Sequence, residues 1–278
     1  MRNRDLLSGL LVPLLLLMIP LGSTAVERMS RAGARAAALS LAVVAVPGSF
    51  TVFQNQAFLT EEKAPSVSVS YTNPYSIPGY HENYLSLVCP IQSEFFALAL
   101  SQTSLAGYKE SSLGISLAKK LSGRLSAGIL FNFYDLNFPE EGSHKGSVQA
   151  DAGLGYKFSD QLSLGLHFRN LVATRVETFQ YHLNFPLLIR IGASCHPSDR
   201  ILVACEADFE AHNETEIHFG TEYRVVKDCW IRGGIATHPF RHSVGFGYRL
   251  KDFLLDFALM HHEILGFTPL FSLSFYLK

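Results

Sequence analysis

This sequence predicts an all-β fold: a transmembrane, antiparallel, up-and-down β-barrel of about fourteen strands, preceded by an N-terminal plug segment. Three observations carry that reading. From residue 66 to the C-terminus, apolar and polar residues alternate with a two-residue period, as in strands whose two faces meet different surroundings. The connections between the strands alternate long and short. The chain also opens with an export leader.

Residues 1–25 read as a signal peptide. "MRNRD" supplies the positive start, "LLSGLLVPLLLLMIPLG" the apolar stretch, and Ser23-Thr24-Ala25 the small-residue cleavage site. Pro13 and Pro20 disfavour an uncleaved anchor helix. The mature chain is expected to start near Val26, outside the cytoplasm.

Residues 26–65 have no place in a barrel wall. "AGARAAALSLAVVAVPGSF" is small and apolar, and "FQNQAFLTEEK" has room for one short helical turn. Such a segment ahead of a barrel suits a plug folded into the lumen. The alternative is a tail lying across the barrel mouth, for which so few charges would be unusual.

The barrel is assigned to residues 66–278. Strands are placed near 66–73, 83–89, 94–101, 111–119, 123–134, 146–158, 161–170, 186–196, 200–209, 215–225, 229–237, 241–249, 252–261 and 267–277. Most are close to the ~10 residues that a tilted membrane strand needs. The final run sets Phe271, Leu273, Phe275 and Leu277 against Ser272, Ser274 and Tyr276. The longer connections include "NPYSIPGYHE", "QTSLAGYKE", "DLNFPEEGSHKG" and "LVATRVETFQYHLNF"; "PIQS", "KLSG", "SD", "HPSD", "VVKD" and "LK" are short. Outer-membrane barrels sort their connections this way, with short periplasmic turns and longer outer loops. A soluble sandwich has no reason to.

The faces decide what the barrel encloses. Arg190, Glu206, Asp208, Glu222, Arg224, Arg232 and Asp256 fall on the polar faces, while the opposite faces carry almost no charge. In a membrane barrel the uncharged face meets lipid and the charged face lines the lumen. These seven residues are therefore assigned to a lumen charge network, read either as a charge-lined conduit or as a paired set that stiffens and partly closes the barrel.

Other chemistries find little support. A net charge of −1 with 17% charged residues leaves no basic surface for nucleic acid. Cys89, Cys195, Cys205 and Cys229 lie in or beside apolar strand patterns and read as free thiols, and no C-x-x-C spacing suggests a metal. His238, His242, His261 and His262 fall near adjacent outer loops with Glu263. Solvated or hydrogen-bonded loop residues are the plainer reading there than a metal or catalytic group. No cofactor and no enzymatic activity is expected.

Two blocks resemble a known family. "GARAAAL" and "VPGSFTVFQNQAFL" resemble the N-terminal pattern of outer-membrane barrels related to PorV and PorQ of the type IX secretion system, through Gly33, Ala34, Arg35, Asn55, Ala57 and Leu59. Ser40 and Leu41 depart from that pattern, which usually has two glycines there. Near the C-terminus, Gly220, Glu222, Tyr223, Arg232 and Gly234 match one motif, and Asp256, Ala258, His262, Leu265, Gly266, Thr268, Ser272 and Leu273 another. That family is similar in fold to the long-chain fatty acid transporter (FadL-like) barrels. The resemblance implies Arg35, Asn55 and Leu59 as plug positions and the cell outer membrane as location.

Lumen size, a candidate plug and the FadL-like similarity imply a channel or transporter for small, hydrophobic solutes, in contact with outer-membrane lipid. The PorV-like side implies instead a non-transporting barrel that anchors or shuttles secreted proteins. In that reading Phe138, Phe179, Tyr181 and Phe185 in the outer loops form the contact surface, unless they are ordinary membrane-interface aromatics.

Overall fold

A computed structural model describes residues 32–138, 143–172, 174–177, 182–211 and 213–277. The expected signal peptide and residues 26–31 lie outside them. The strands are β1 (Ser66–Thr72), β2 (His81–Ile91), β3 (Glu94–Leu105), β4 (Tyr108–Lys120), β5 (Leu125–Phe138), β6 (Ser143–Lys157), β7 (Leu162–Arg169), β8 (Thr174–Glu177), β9 (His182–Phe185), β10 (Leu188–Ser198), β11 (Ile201–Glu210), β12 (Glu216–Val226), β13 (Cys229–Ala236), β14 (Arg241–Leu250), β15 (Phe253–His262) and β16 (Gly266–Tyr276). Fourteen of them close into one antiparallel barrel, each paired with its sequence neighbours and β1 with β16. Strands β8 and β9 form a separate hairpin between β7 and β10.

Burial in this barrel is inverted relative to a soluble protein. On β16, Phe271 and Leu273 are 54% and 37% exposed, whereas Ser272 and Ser274 are 7% and 1% exposed. Exposed Ile115, Phe131, Phe219, Ile231 and Phe246 continue the apolar outer surface round the wall, and charged residues are buried inside it. Water would not tolerate so continuous an apolar surface, and lipid requires it. That outer surface is not evenly convex. Outward side chains from β14 round to β4 line a shallow apolar concavity of about 1030 Å³. Behind it the inward side chains of β1, β2 and β16 include the small Ser68, Ser70, Ser86 and Ser272, which let the wall approach what lies inside.

Three expectations about the connections need correction. "DLNFPEEGSHKG" is largely strand, since β5 runs to Phe138 and β6 starts at Ser143. "QTSLAGYKE" is not a long loop: β3 and β4 run on until only Ala106-Gly107 separates them. Both turn residues have positive φ (49° and 90°), the tight geometry that suits the twist of a hairpin. The connection after β7 is not structureless either, since it carries the β8–β9 hairpin. Turns at 92–93, 121–124, 158–161, 199–200, 227–228 and 251–252 mark one end of the barrel, called here the turn end; the opposite end is the loop end.

Residues 32–65 lie against the inner wall. A short helix, α1 (Ala34–Ala38), is followed by 3₁₀ turns at Thr51–Phe53 and Gln56–Glu61. Leu39, Val43 and Val46 pack with Leu202 and Ala204; Ala34, Ala37 and Ala38 with Ala258, Met260 and Leu270; Val52 and Leu59 with Ala97, Ala99 and Leu130. A closed barrel thus has an apolar core that the segment supplies, inside a wall whose own inner face is largely polar.

Candidate functional site: the barrel interior

The interior is organised by how the segment meets the wall. Along β5, β6 and β7 the wall presents glycine where the segment's backbone passes. A Cβ on Gly165 would stand 2.2 Å from the Val44 carbonyl oxygen, and one on Gly128 2.6 Å from the Gln56 carbonyl carbon. Glycine is the residue that allows such an approach. Asn55 lies in the same contact: its Nδ2 donates to the carbonyl of Val44 at 2.7 Å and reaches those of Leu154 and Leu166 at 3.3 and 3.4 Å. Its Oδ1 accepts from Ala57 N at 3.1 Å, capping the second 3₁₀ turn. Leu59 is fully buried below it. At the turn end Glu61 pairs with Lys120 at 3.5 Å and with Lys157.

Helix α1 stops at a bend that the sequence marks only obliquely. Ser40 and Leu41, which replace the glycines of the resembled pattern, have φ of 49° and 67°, the left-handed region where glycine is favoured. The wall holds this bend. Ser40 N donates to Ser243 Oγ at 3.1 Å, Ser243 Oγ donates to Ala38 O at 2.9 Å, and His218 Nδ1 lies 2.9 Å from Ser40 O.

The charges fall into two clusters, each tied to the segment. In the first, the Glu206 carboxylate accepts from the amides of Val43 and Val44, both at 2.7 Å through Oε2. Its Oε1 lies 2.5 Å from Arg190 Nη2. Arg190 also approaches Asp208 at 3.6 Å and donates to Gln54 O at 3.0 Å. His218 Nε2 stands 3.5 Å from Asp208 and 3.4 Å from Glu216, and Glu216 pairs with Arg241 at 2.8 Å. In the second cluster, Arg35 forks onto Glu222 through Nε at 2.8 Å and Nη2 at 3.0 Å, and donates from Nη1 to Pro47 O at 2.7 Å. Arg232 joins the same carboxylate at 2.5 Å and reaches Asp256 at 2.6 Å.

Six of the seven expected lumen residues thus lie in these clusters, and Arg224 in neither. It sits at the turn end of β12, opposite Trp230 and beside a bulge, and is half-buried. Glu216, which strand parity with Glu222 points inward, lies in the first cluster; His218, of the same parity, and Arg241 were given no role. His167 is fully buried with neither ring nitrogen hydrogen-bonded.

The loop-end histidines separate. His242 and His261 pair across β14 and β15 on the outer face, ring centroids 4.7 Å apart; His262 turns inward, its Nδ1 accepting from Ile264 N and Leu265 N; His238 stands 3.4 Å from Glu214. Phe185, expected on an outer contact surface, is instead buried with Leu136 and Val176, with Phe138 packed beside it. Phe179 and Tyr181 lie outside the described residues.

A cavity of about 500 Å³ remains at the turn end, between residues 46–50 and 61–64 of the segment and the ends of β12 to β16. Phe50, Val46, Trp230 and Leu254 give it apolar patches, the Arg35–Glu222–Arg232–Asp256 cluster closes its inner end, and Glu61, Glu62, Lys63 and Arg249 line it as well.

No family model and no curated protein matches the sequence. Solved structures do share the fold. The CymD monoaromatic hydrocarbon channel aligns with a TM-score of 0.69 at 13% identity, covering 88% of this chain and 97% of its own. The toluene transporter TodX of Pseudomonas putida aligns at 0.66 and 12% identity, covering 90% and 98%. A FadL homologue of Pseudomonas aeruginosa aligns at 0.65 and 15% identity, covering 91% and 99%. The fold is therefore that of the FadL-like barrels. These structures lend nothing to the narrower PorV- and PorQ-like resemblance.

Proposed function

We propose that this protein is an outer-membrane channel for small hydrophobic solutes, with residues 26–65 acting as its plug and the turn end facing the periplasm. The observation that carries this reading is the filled yet incompletely sealed interior. The segment occupies the lumen through specific polar grips, and a cavity with partly apolar, partly charged walls survives beside it. A barrel built only as an anchor needs neither. The inverted wall supports the membrane location, and the structures of like fold are described as hydrocarbon channels and toluene transporters.

The two charge clusters fit this role as a paired network that positions the plug. Glu206 and Glu222 each bind one Arg of the wall and one part of the segment, so releasing the plug means breaking buried pairs. The anchoring role for secreted proteins gains no support from the described loop aromatics Phe138 and Phe185, which pack with Leu136 and Val176.

Uptake of radiolabelled toluene tests the reading directly. Gram-negative cells expressing the protein in their outer membrane should take up the solute several-fold faster than cells carrying an empty vector. Equal rates, with the protein present in the outer-membrane fraction, would remove the transport function.

A further inference from the structure

Among the described histidines near the loop end, two stand apart. His81 shares a hydrogen bond of 2.9 Å with the Tyr71 hydroxyl, and His144 lies 3.1 Å from the Asp135 carboxylate. His238 lies 3.4 Å from Glu214, and His262 accepts two amides of its own turn. His242 and His261 have no such partner among the described residues. They sit directly opposite one another on β14 and β15, both on the outer face, with ring centroids 4.7 Å apart and planes 40° apart. The Nδ1 atom of His261 is shut off from solvent and makes no hydrogen bond. Native structures rarely leave a buried polar nitrogen uncompensated, because its desolvation is costly.

The surroundings brace the two rings without giving them anything to bond. Phe267 packs on His261 at 4.5 Å between centroids, Phe240 lies 6.2 Å from His242, and Ile235 is the cross-strand neighbour of His242 on β13. The spacing of the pair suits a shared ion. A metal held by imidazole at ~2.0–2.1 Å lies ~3.2 Å from the ring centre, so two rings about 90–109° apart around it stand ~4.5–5.2 Å from one another. The observed 4.7 Å falls inside that interval. Imidazole also selects the class of ion, since Zn²⁺, Cu²⁺ and Ni²⁺ favour it whereas Mg²⁺ and Ca²⁺ favour oxygen ligands.

We infer that His242 and His261 form a binding site for a divalent transition-metal ion of the Cu²⁺ or Zn²⁺ type, bridging β14 and β15 at the loop end. No group of three His, Cys, Asp or Glu residues able to hold a metal occurs among the described residues, so the remaining coordination positions go to water. The site is independent of the transport reading. With the loop end outward, as proposed above, the ion arrives from outside the cell and ties two strands together at the barrel rim.

Cu²⁺ is the probe, because it binds such ligands tightest of the first-row divalent ions. The purified protein, carrying no polyhistidine tag, is titrated in detergent micelles, and nitrogen coupling in its electron paramagnetic resonance spectrum counts the bound imidazoles. One ion per chain with two imidazoles is expected. His242→Phe and His261→Phe should each lower the count to at most one and weaken binding at least tenfold. His144→Phe, also outward at the loop end, should leave both unchanged. In the parent protein, one equivalent of Zn²⁺ should shield His242 and His261 from diethylpyrocarbonate, read by mass spectrometry, while His81 and His144 stay reactive. A parent ion with one imidazole or none overturns the site, as does two-imidazole coupling that persists in either folded variant. Unchanged modification of the pair in Zn²⁺ overturns it too. The modification assay needs no variant and therefore decides even where a substitution prevents folding.

Discussion

The two sides of the barrel interior hold the same segment by different physics. Along β5–β7 and β10–β11 the contact is close: wall glycines meet the segment's backbone, Asn55 crosses to strand carbonyls, and Glu206, its side chain fully buried, grips two amides. Along β12–β16 at the turn end, the contact is a forked ion pair and a Ser49–Tyr276 hydroxyl hydrogen bond (2.7 Å) beside a cavity, with the Arg35 side chain 26% and Glu222 11% exposed. A buried carboxylate with no water at hand depends on every partner it has. One at the edge of a cavity has solvent to replace a lost partner. The first side therefore fixes the segment, and the second is where it can yield.

The largest effect expected from this contrast comes from Glu206→Ala. It strands the Arg190 guanidinium and leaves the Val43 and Val44 amides without their acceptor, and breaking a buried pair in this way costs about 3–5 kcal/mol. The measurement is hydrogen exchange of the two amides in the folded barrel. They should lose most of their protection while the wall strands keep theirs. Unchanged protection at Val43 and Val44 would mean that packing, not the carboxylate, seats the segment there.

The same truncation on the other side should cost less. In Glu222→Ala, Arg232 keeps Asp256 at 2.6 Å and Arg35 keeps Pro47 O at 2.7 Å, so the loss is that of charge-assisted hydrogen bonds, about 1.5–3 kcal/mol. Single-channel recording in a planar bilayer checks the consequence. Glu222→Ala should raise conductance by loosening the rim of the cavity, while amide protection at Val43 and Val44 stays at the parent level. If Glu222→Ala proves as destabilising as Glu206→Ala, the two sides are equally tight and the contrast fails.

How much of this was legible in the sequence follows the same division. The wall was, because β16 states its environment in its own alternation: Phe271 and Leu273 out, Ser272 and Ser274 in. Legibility faded where β3 and β4 rise beyond the apolar band, since Gln102, Thr103 and Ser104 read as loop once neither face must be greasy. The inward carboxylates and guanidiniums could be named from parity, but not their partners. Arg35 and Glu222 are far apart in sequence, and nothing periodic sets where an irregular segment lies inside a barrel. One signal was present and unused. Gly128, Gly153, Gly165, Gly220 and Gly234 are wall glycines that each face the segment, and glycine within a strand signals a neighbouring backbone at close range. Ser40 and Leu41 were flagged only as departures from a glycine pattern. Their positive φ shows that the backbone shape persists without glycine, held by the Ser40 amide donating to Ser243 Oγ and the Ser40 carbonyl accepting from the His218 ring.

Asn55→Ala tests the close side at its smallest increment. The substitution removes the cap on Ala57 N, worth about 1 kcal/mol at helix starts. It also removes the donor that ties Val44 O to the turn. Unlike Glu206, Asn55 leaves no charge behind, and the freed carbonyls of Leu154 and Leu166 keep their places in strand ladders. The segment should therefore stay seated, with exchange speeding up at Ala57 and little change at Val43. Fast exchange spreading from residue 57 back to residue 43 would show that the close side is one cooperative unit rather than a series of separate grips. The Glu206→Ala result would then measure the whole unit and not a single carboxylate.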